Sequence, residues 1–310
     1  MAGQSHTPPG PTTIGVDVGG TKVAVATLTG AALSASSHEP TELSSTEALL
    51  AQLTRLIQAA GPADAVGLGL PSAIDAATGT VRDSVNIPLT NVPIRDELQQ
   101  RLGLPVVVAN DAQVAGLSEA YDEQLQLTAN SLILLTIGTG VGGAIILGGE
   151  IYLGATGAAG HLGHQLIAAA FHDGVPEHRD DPPQPGTLEA LAAGRVLDAL
   201  AIERGYADGP AVVAGAQRGD AAALEAVTIL GTRIGLGVAN AINVFDPEEV
   251  VIGGGVSAAG ELLLAPVQQT AARFTLSGLG IRTTIRLARH GQDAGVRGAA
   301  LLAARSPASL

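Results

Sequence analysis

Ile14-Gly15-Val16-Asp17-Val18-Gly19-Gly20-Thr21-Lys22-Val23-Ala24-Val25-Ala26 is an apolar run, a knot of Gly and Thr, and a second apolar run. The pattern returns at Leu134-Leu135-Thr136-Ile137-Gly138-Thr139-Gly140-Val141-Gly142-Gly143-Ala144-Ile145-Ile146. Each copy reads as two strands joined by a glycine-rich turn. Gly19 and Gly20 leave the backbone bare and permit positive φ, so successive turn amides can point at one spot and form an anion nest. Thr21 adds a hydroxyl donor. Asp17, at the end of the first strand, is placed to hold the water shell of a Mg²⁺ ion bridging phosphates. Either copy alone reads equally well as a plain hairpin. Two matching copies on two related domains can grip a polyphosphate from both sides, which points to a nucleotide-dependent phosphotransferase.

Outward from the first turn, residues 12–36 read as a β-meander. Ser44-Ser45-Thr46-Glu47 has the pattern of a capping box, and Leu49, Leu50, Leu53, Leu56 and Ile57 form one stripe of the helix that follows. Ala65–Leu70 and Pro105–Ala109 are short apolar strands, the second running into Asn110-Asp111. Ile94, Leu98 and Leu102 mark an amphipathic helix between them. After the second turn, a Pro- and charge-rich loop spans His172 to Gly186. Thr187, Asp220 and Asp293 each read as a helix cap. The helix after Asp220 is the longest, with Leu224, Val227, Leu230, Ile234, Val238 and Ile242 inward. Val250–Ile252 is a buried strand entering Gly253-Gly254-Gly255. Antiparallel strands followed by alternating strands and helices, twice over, describe one α/β unit duplicated. The expected division is a tail at 1–11, a small domain of 12–119 plus 293–306, and a large domain of 120–292.

The 310 residues suffice for two such domains. With 46% hydrophobic but only 2% aromatic residues, the cores must be built from Val, Ile, Leu and Ala. A formal net charge of −13 argues against a nucleic-acid surface, which needs clustered Lys and Arg. The absence of cysteine removes disulfides and thiolate chemistry and fits a cytoplasmic protein. The polar, Pro-rich start does not read as a signal peptide, and no uninterrupted apolar stretch reaches membrane-spanning length.

Asp111 follows the carboxyl end of an apolar strand, where α/β sheets present ligand residues. There it can accept a proton from a substrate hydroxyl attacking phosphorus, or simply cap the next helix. Asn110 offers a donor and an acceptor to vicinal hydroxyls. Gly254 and Gly255 either let a flat base and an anion approach the backbone or serve strand–helix packing. His161 and His164 lie three apart in a Gly-rich stretch and read as solvated loop residues when taken alone. Glu189, in the first turn of a helix, reads alone as charge set against the helix dipole.

Together these motifs resemble the ROK family of repressors and sugar kinases, within the actin-like/hexokinase ATPase superfamily. The resemblance runs from Thr12 to about Ala304. Asp17–Lys22 is similar to its D-x-G-G-T-K opening, and Gly67–Asp75 to G-x-G-x-P-G-x-V-D with Ser72 in place of a glycine. Gly138–Gly143 resembles the second phosphate loop, Gly157–His164 resembles G-x-x-G-E-x-G-H, and Gly186–Leu191 resembles G-C-L-E-x-x. The resemblance implies two actin-like (ribonuclease H-like) domains with a ligand cleft between them. It implies ATP and Mg²⁺ held by Asp17, Gly19, Gly20, Thr21, Lys22, Gly138, Thr139, Gly140, Gly142, Gly254 and Gly255. It implies a hexose bound by Ser72, Asn86, Asn110, Asp111, His161, His164 and Glu189, with Asp111 taking the proton from the 6-hydroxyl. A homodimer is also implied, with no nucleic-acid or membrane partner.

Three departures from the family pattern carry consequences. His161 stands where the family has Glu, and a neutral imidazole offers one donor and one acceptor where a carboxylate offers only acceptors. Recognition of glucose therefore shares the field with amino sugars such as glucosamine, 3-amino-3-deoxyglucose or an N-acetylhexosamine. The family's zinc site needs three Cys that this chain lacks, and His172 and His178 are weak replacements, so no structural zinc is expected. The short stretch before the first strand is expected to leave no room for a repressor's winged helix. A catalytically silent sugar-binding regulator is the lesser alternative.

Overall fold

The computed structural model describes residues 10–84, 86–172 and 174–306, so residues 1–9 of the expected tail lie outside the described part. The chain divides into two compact units: Met1–Thr128, Leu153–Ala158 and Gln292–Leu310 in one, Ala129–Tyr152 and Ala159–Gly291 in the other.

The first unit opens with the antiparallel hairpin of β1 (Thr12–Val18) and β2 (Lys22–Thr29), closing on Val18 opposite Val23. Two short strands, β3 (Ala32–Leu33) and β4 (Ser37–Pro40), both add to β2. Helix α1 (Thr46–Ala59) buries the expected stripe from Leu49 to Ile57. Its cap is Ser45, one residue later than the Ser44-to-Glu47 box required, with Ser45 Oγ accepting the Ala48 amide at 3.1 Å. Glu47 instead takes the Arg101 guanidinium in two bonds of 2.9 and 2.7 Å, which are charge-assisted and outweigh one cap bond.

Strand β5 (Ala65–Leu70) runs parallel to β1. The hairpin of β6 (Ala73–Asp75) and β7 (Thr80–Asp83) escapes a sequence reading because its strands are too short to show alternation. Helix α2 (Ile94–Leu102), strand β8 (Val106–Asn110) and helix α3 (Asp111–Glu119) complete the series, giving the sheet order β3-β2-β1-β5-β8.

The chain's final helix, Ala294–Arg305, returns to this unit. Thr13 donates its hydroxyl to the Ala300 carbonyl at 2.9 Å, and a Cβ at Gly298 would collide with the Val114 carbonyl. Asp293 precedes this helix but makes no side-chain cap bond, contrary to the sequence reading. A 3₁₀ turn at Gly291–Asp293 keeps its backbone helical, and its carboxylate accepts the Ser36 hydroxyl at 2.7 Å.

The second unit repeats the plan. β9 (Ser131–Ile137) and β10 (Val141–Leu147) form the hairpin, with β11 (Glu150–Ile151) on its edge. The Pro-rich loop carries the short pair β12 (Phe171–His172) and β13 (Val175–Pro176). Thr187 caps α4 (Leu188–Ala192), as expected. Two helices unassigned from sequence follow, α5 (Gly194–Glu203) and α6 (Gly209–Gln217). The signal for α6 was present in Asp208-Gly209-Pro210: Asp208 caps it, and Pro sits in the first turn, where no amide bond is lost.

Asp220 caps α7 (Ala221–Phe245), whose 25 residues are long and apolar enough to cross a membrane by length and composition. Val227, Leu230, Ile234, Val238 and Ile242 of α7 are buried in the core of this unit, which accounts for that apolarity. β14 (Glu249–Gly253), α8 (Glu261–Phe274), β15 (Thr284–Leu287) and α9, the final helix already described, end the chain. The sheet order is β11-β10-β9-β14-β15, with β14 parallel to both neighbours. Each unit is thus an antiparallel hairpin followed by two parallel strands, in the same spatial order.

The units divide at Thr128, where the sequence reading placed the boundary after Glu119. The Thr128 amide donates to the Ala120 carbonyl at 2.8 Å, and Tyr121 pairs with Leu127, so this segment folds back on the end of α3. Leu153–Ala158 groups with the first unit because Gln113 Nε2 donates to the Gly157 carbonyl at 3.0 Å.

Candidate active site

In the first unit, β1, β5 and β8 end side by side. Asp17 is in register with Gly69, and Leu70 with Asn110. Gly69 sits close to both acidic residues: a Cβ there would press on Val114 Cγ2 at 2.7 Å and lie 3.5 Å from Asp111 Cα and 3.7 Å from Asp17 Oδ1. On its other side Asp17 meets Gly295 of α9, where a Cβ would strike the carboxylate. Burial, and then the charge of Asp111, push the Asp17 carboxyl up to about 7, with Lys22 opposing. Burial also lifts Asp111 above the usual carboxylate range, against the Ala112 amide and Asn110. Asp17, pressed by a neighbouring like charge, is suited to hold a divalent cation, which would relieve that repulsion.

The cap of α3 explains how Asp111 is presented. Asn110 Oδ1 accepts the Ala112 amide at 3.0 Å, and its Nδ2 donates to the Leu70 and Ser72 carbonyls at 3.3 and 3.4 Å. Gln113 Oε1 accepts the Asn110 amide at 3.2 Å, completing a capping box. Asn110 is therefore engaged in holding the strand end as well as flanking Asp111. Ser72 is buried, and its Oγ has no hydrogen-bond partner among the described residues.

The first turn is held by Gly19 N–H donating to the Lys22 carbonyl (2.8 Å) and by the Thr41 hydroxyl donating to the Gly19 carbonyl (2.6 Å). Thr21 and Lys22 are exposed, and Lys22 Nζ reaches Gln292 Oε1 at 3.3 Å. Exposed Asn86 lies beside Gly20, its Cβ 3.1 Å from where a Gly20 Cβ would stand.

In the second unit the turn is Gly138–Gly140, closed by Gly138 N–H donating to the Gly140 carbonyl at 2.9 Å. Gly142, expected in the turn, lies within β10 opposite Thr136. Glu189 Oε2 accepts the Val141 amide at 2.8 Å, and a Cβ at Gly140 would come within 2.6 Å of it. One oxygen of Glu189 is thus spent on the turn itself. Helix α5 starts on the same turn, with Gly194 N–H donating to the Gly138 carbonyl at 2.7 Å.

Beside this turn is a cavity of 660 Å³, walled on its apolar side by Leu197, Pro210, Val213 and Val256 and open to Gly138, Thr139 and Gly255. A Cβ at Gly138 or Gly255 would meet nothing within 4 Å, so both bare backbones face open space. Gly254 adopts φ +84° with its α-carbon against Ile137, where a side chain would collide. Gly255 begins a 3₁₀ turn, Gly255–Ala259. The size and apolar lining suit a nucleoside, with its phosphates toward the glycine turn.

Sequence reasoning missed the cavity wall on α5 and α6, as well as Arg195, Gln113 and Thr41. Thr41 and Arg195 act through contacts between segments far apart in the chain, whereas Gln113 and α6 did carry local signals, the capping box begun at Asn110 and the Asp208-Gly209-Pro210 start.

His161 and His164 flank the 3₁₀ turn Leu162–His164, their ring centroids 6.2 Å apart. Desolvation, and then His164, hold His161 below the ordinary histidine pKa, so it is neutral at pH 7. Among the described residues no three His, Asp or Glu side chains converge as a metal site. Without cysteine, the donor set does not fit the family's zinc centre.

Paired glycine turns on two units of one topology, with a carboxylate at a strand end, define an actin-like ATPase architecture used for phosphoryl transfer. The ROK family profile matches residues 13–306, and the chain belongs to the ROK family. It is 33% identical over 311 residues to a glucokinase of Halalkalibacterium halodurans, covering 92% of each chain. It is 33% identical over 300 residues to an N-acetyl-D-glucosamine kinase of Vibrio parahaemolyticus, covering 93% of this chain and 98% of that one. A ROK glucokinase from Streptomyces griseus, solved with glucose and AMPPNP, superposes with a TM-score of 0.78 at 29% identity. That match covers 95% of this chain and all of the other. These relatives support an ATP-dependent hexose kinase.

Proposed function

We propose that this protein transfers the γ-phosphoryl group of ATP to the 6-hydroxyl of glucose or a close hexose, with Asp111 as general base. The observation that carries this reading is the Asp111 carboxylate. It stands at the end of β8 beside Asp17, desolvated and made more basic than a free carboxylate. Such a group is suited to take a hydroxyl proton as the oxygen attacks phosphorus. Asn110 and Gln113 hold its backbone at the start of α3.

The Gly19–Thr21 turn of the first unit and the Gly138–Gly140 turn of the second are each assigned to phosphate binding, and the cavity of α5 and α6 to the nucleoside. Mg²⁺, when bound with the donor at Asp17, supplies positive charge against the phosphate oxygens. Ser72, Asn86, Asn110, His161, His164 and Glu189 are assigned to the hexose. The Ser72 hydroxyl has no hydrogen-bond partner among the described residues, and Glu189 Oε1, left over from the bond of Oε2 to Val141, lies 3.8 Å from the Arg195 guanidinium. Cytoplasmic location, a homodimer and the absence of a structural zinc belong to this proposal as well.

A second reading is favoured by one residue. Neutral His161 cannot accept hydrogen bonds from two vicinal hydroxyls as a carboxylate does, and this favours an amino or N-acetylamino hexose. Similarity to an N-acetyl-D-glucosamine kinase supports it. ADP release with Mg-ATP across glucose, mannose, glucosamine, 3-amino-3-deoxyglucose, N-acetylglucosamine and N-acetylmannosamine decides between them. Preference for glucose makes His161 a tolerated change; preference for an amino sugar makes it the specificity residue. No turnover on any sugar, with ATP still bound, would sink the kinase reading in favour of a silent sugar-binding regulator.

A further inference from the structure

Arg195 opens α5 at the edge of the glycine turn. Its guanidinium donates to the Thr139 carbonyl at 3.1 Å and to the Glu189 carbonyl at 3.5 Å, and lies 3.8 Å from Glu189 Oε1. The side chain is 44% exposed, so donors remain to be satisfied from outside. Arg195 is also the one cation among the residues lining the 660 Å³ cavity, and Asp198 is the one anion. Asp198 already accepts the Gly209 amide at 2.8 Å.

The turn carries a carboxylate beside which the Arg195 guanidinium lies. The Glu189 carboxylate lies directly on the Gly140-Val141 backbone, where it repels any phosphate approaching the same amides. Thr139 and Gly140 supply only backbone and a hydroxyl. The α5 N-terminus adds partial positive charge through its docking on Gly138. Arg195 is the cation placed beside this turn.

We infer that Arg195 is a donor-binding residue: its guanidinium receives the phosphate chain of the nucleoside triphosphate at the Gly138–Gly140 turn and offsets the charge of Glu189. The inference rests on the proposed function, which places the donor in this cavity. Adenosine, which lacks phosphates, uses only the cavity wall and makes no demand on Arg195.

The test is equilibrium binding of Mg-AMPPNP and of adenosine to the full chain and to Arg195→Ala and Arg195→Lys, followed by KM values for ATP and sugar. The expected result is an affinity for Mg-AMPPNP weakened about tenfold or more by Arg195→Ala, as loss of a charge-assisted phosphate contact entails. Adenosine affinity and sugar KM should stay within twofold, and Arg195→Lys should recover part of the loss, since it restores charge without the fork. Equal weakening of both ligands, or of neither, overturns the inference. So does a raised sugar KM with ATP KM unchanged, which would show Arg195 acting through Glu189 on the acceptor. Wild-type protein that binds neither ligand removes the donor reading itself, a result distinct from any behaviour of the variants.

Discussion

At the scale of single residues, the proposed chemistry rests on Asp17 and Asp111. Asp111→Asn keeps the shape and the cap of α3 but cannot take a proton. Turnover is expected to fall about 10²–10⁴-fold while sugar and nucleotide still bind, as measured by ADP release beside equilibrium binding. Near-normal turnover would remove Asp111 as the base. The pH profile follows from the same environment. Asp111 must be unprotonated to act, and burial raises its pKa. Activity is therefore present above that raised pKa and lost as pH falls through it. The acid limb of kcat/KM for the sugar should lie above the ordinary carboxylate range of about 4.

Asp17 makes the opposite sign visible in stability. Its folded pKa, about 7, lies above the unfolded value of 3.8. The folded state then holds a proton more tightly, and this contribution to stability is full below pH 4 and lost as pH rises through 7. Asp17→Asn, which stays neutral, should raise the stability of the ligand-free protein at pH 8 by roughly 2 kcal/mol, allowing for coupling to Asp111. At pH 4 the gain should vanish, and phosphoryl transfer should be lost at any pH. A denaturation series at the two pH values would show it, and equal effects at both would contradict the assignment.

At the scale of elements, close approach of helix and sheet is what brings the site residues into place. α9 lies so tightly on α3 that a methyl group at Gly298 would strike the Val114 carbonyl, and Val114 is three residues from Asp111. Gly298→Ala should destabilise the protein by about 3 kcal/mol, at the upper end for overpacking because backbone cannot swing aside as a side chain does. A shift in denaturation midpoint below what about 1 kcal/mol produces would contradict this packing. The sequence showed most elements through local signals: the Leu stripe of α1, the caps at Thr187 and Asp220, and the apolar runs of β1, β5, β9 and β14. It misled at Ser44 and Asp293, where a competing partner, Arg101 for Glu47 and Ser36 for Asp293, took the side chain elsewhere. Those partners are 54 and 257 residues away, beyond any local pattern.

At the scale of the molecule, each unit has its own sheet and core, and the elements proposed to bind nucleotide are found in each. Hydrogen exchange with and without Mg-AMPPNP is expected to slow at Gly138–Val141 and Gly254–Ala258 in the second unit and at Gly19–Lys22 in the first. A loading of about 100 Kd should stabilise the protein by about 2.7 kcal/mol. Protection confined to segments outside these turns would contradict the placement of the donor.

The sequence alone determined the duplicated strand–turn–strand plan, the Val, Ile, Leu and Ala cores and the position of Asp111 at a strand end. Hydrophobic period, glycine position and capping residues are local properties, written in the order of the chain. Only the tertiary structure decided that Asp17 and Asp111 are both desolvated at neighbouring strand ends with the charge of Asp111 acting on Asp17, that Glu189 leans on the second glycine turn, and that Arg195 stands beside it. These depend on strand register and helix docking between residues distant in the chain, where burial and charge act through space.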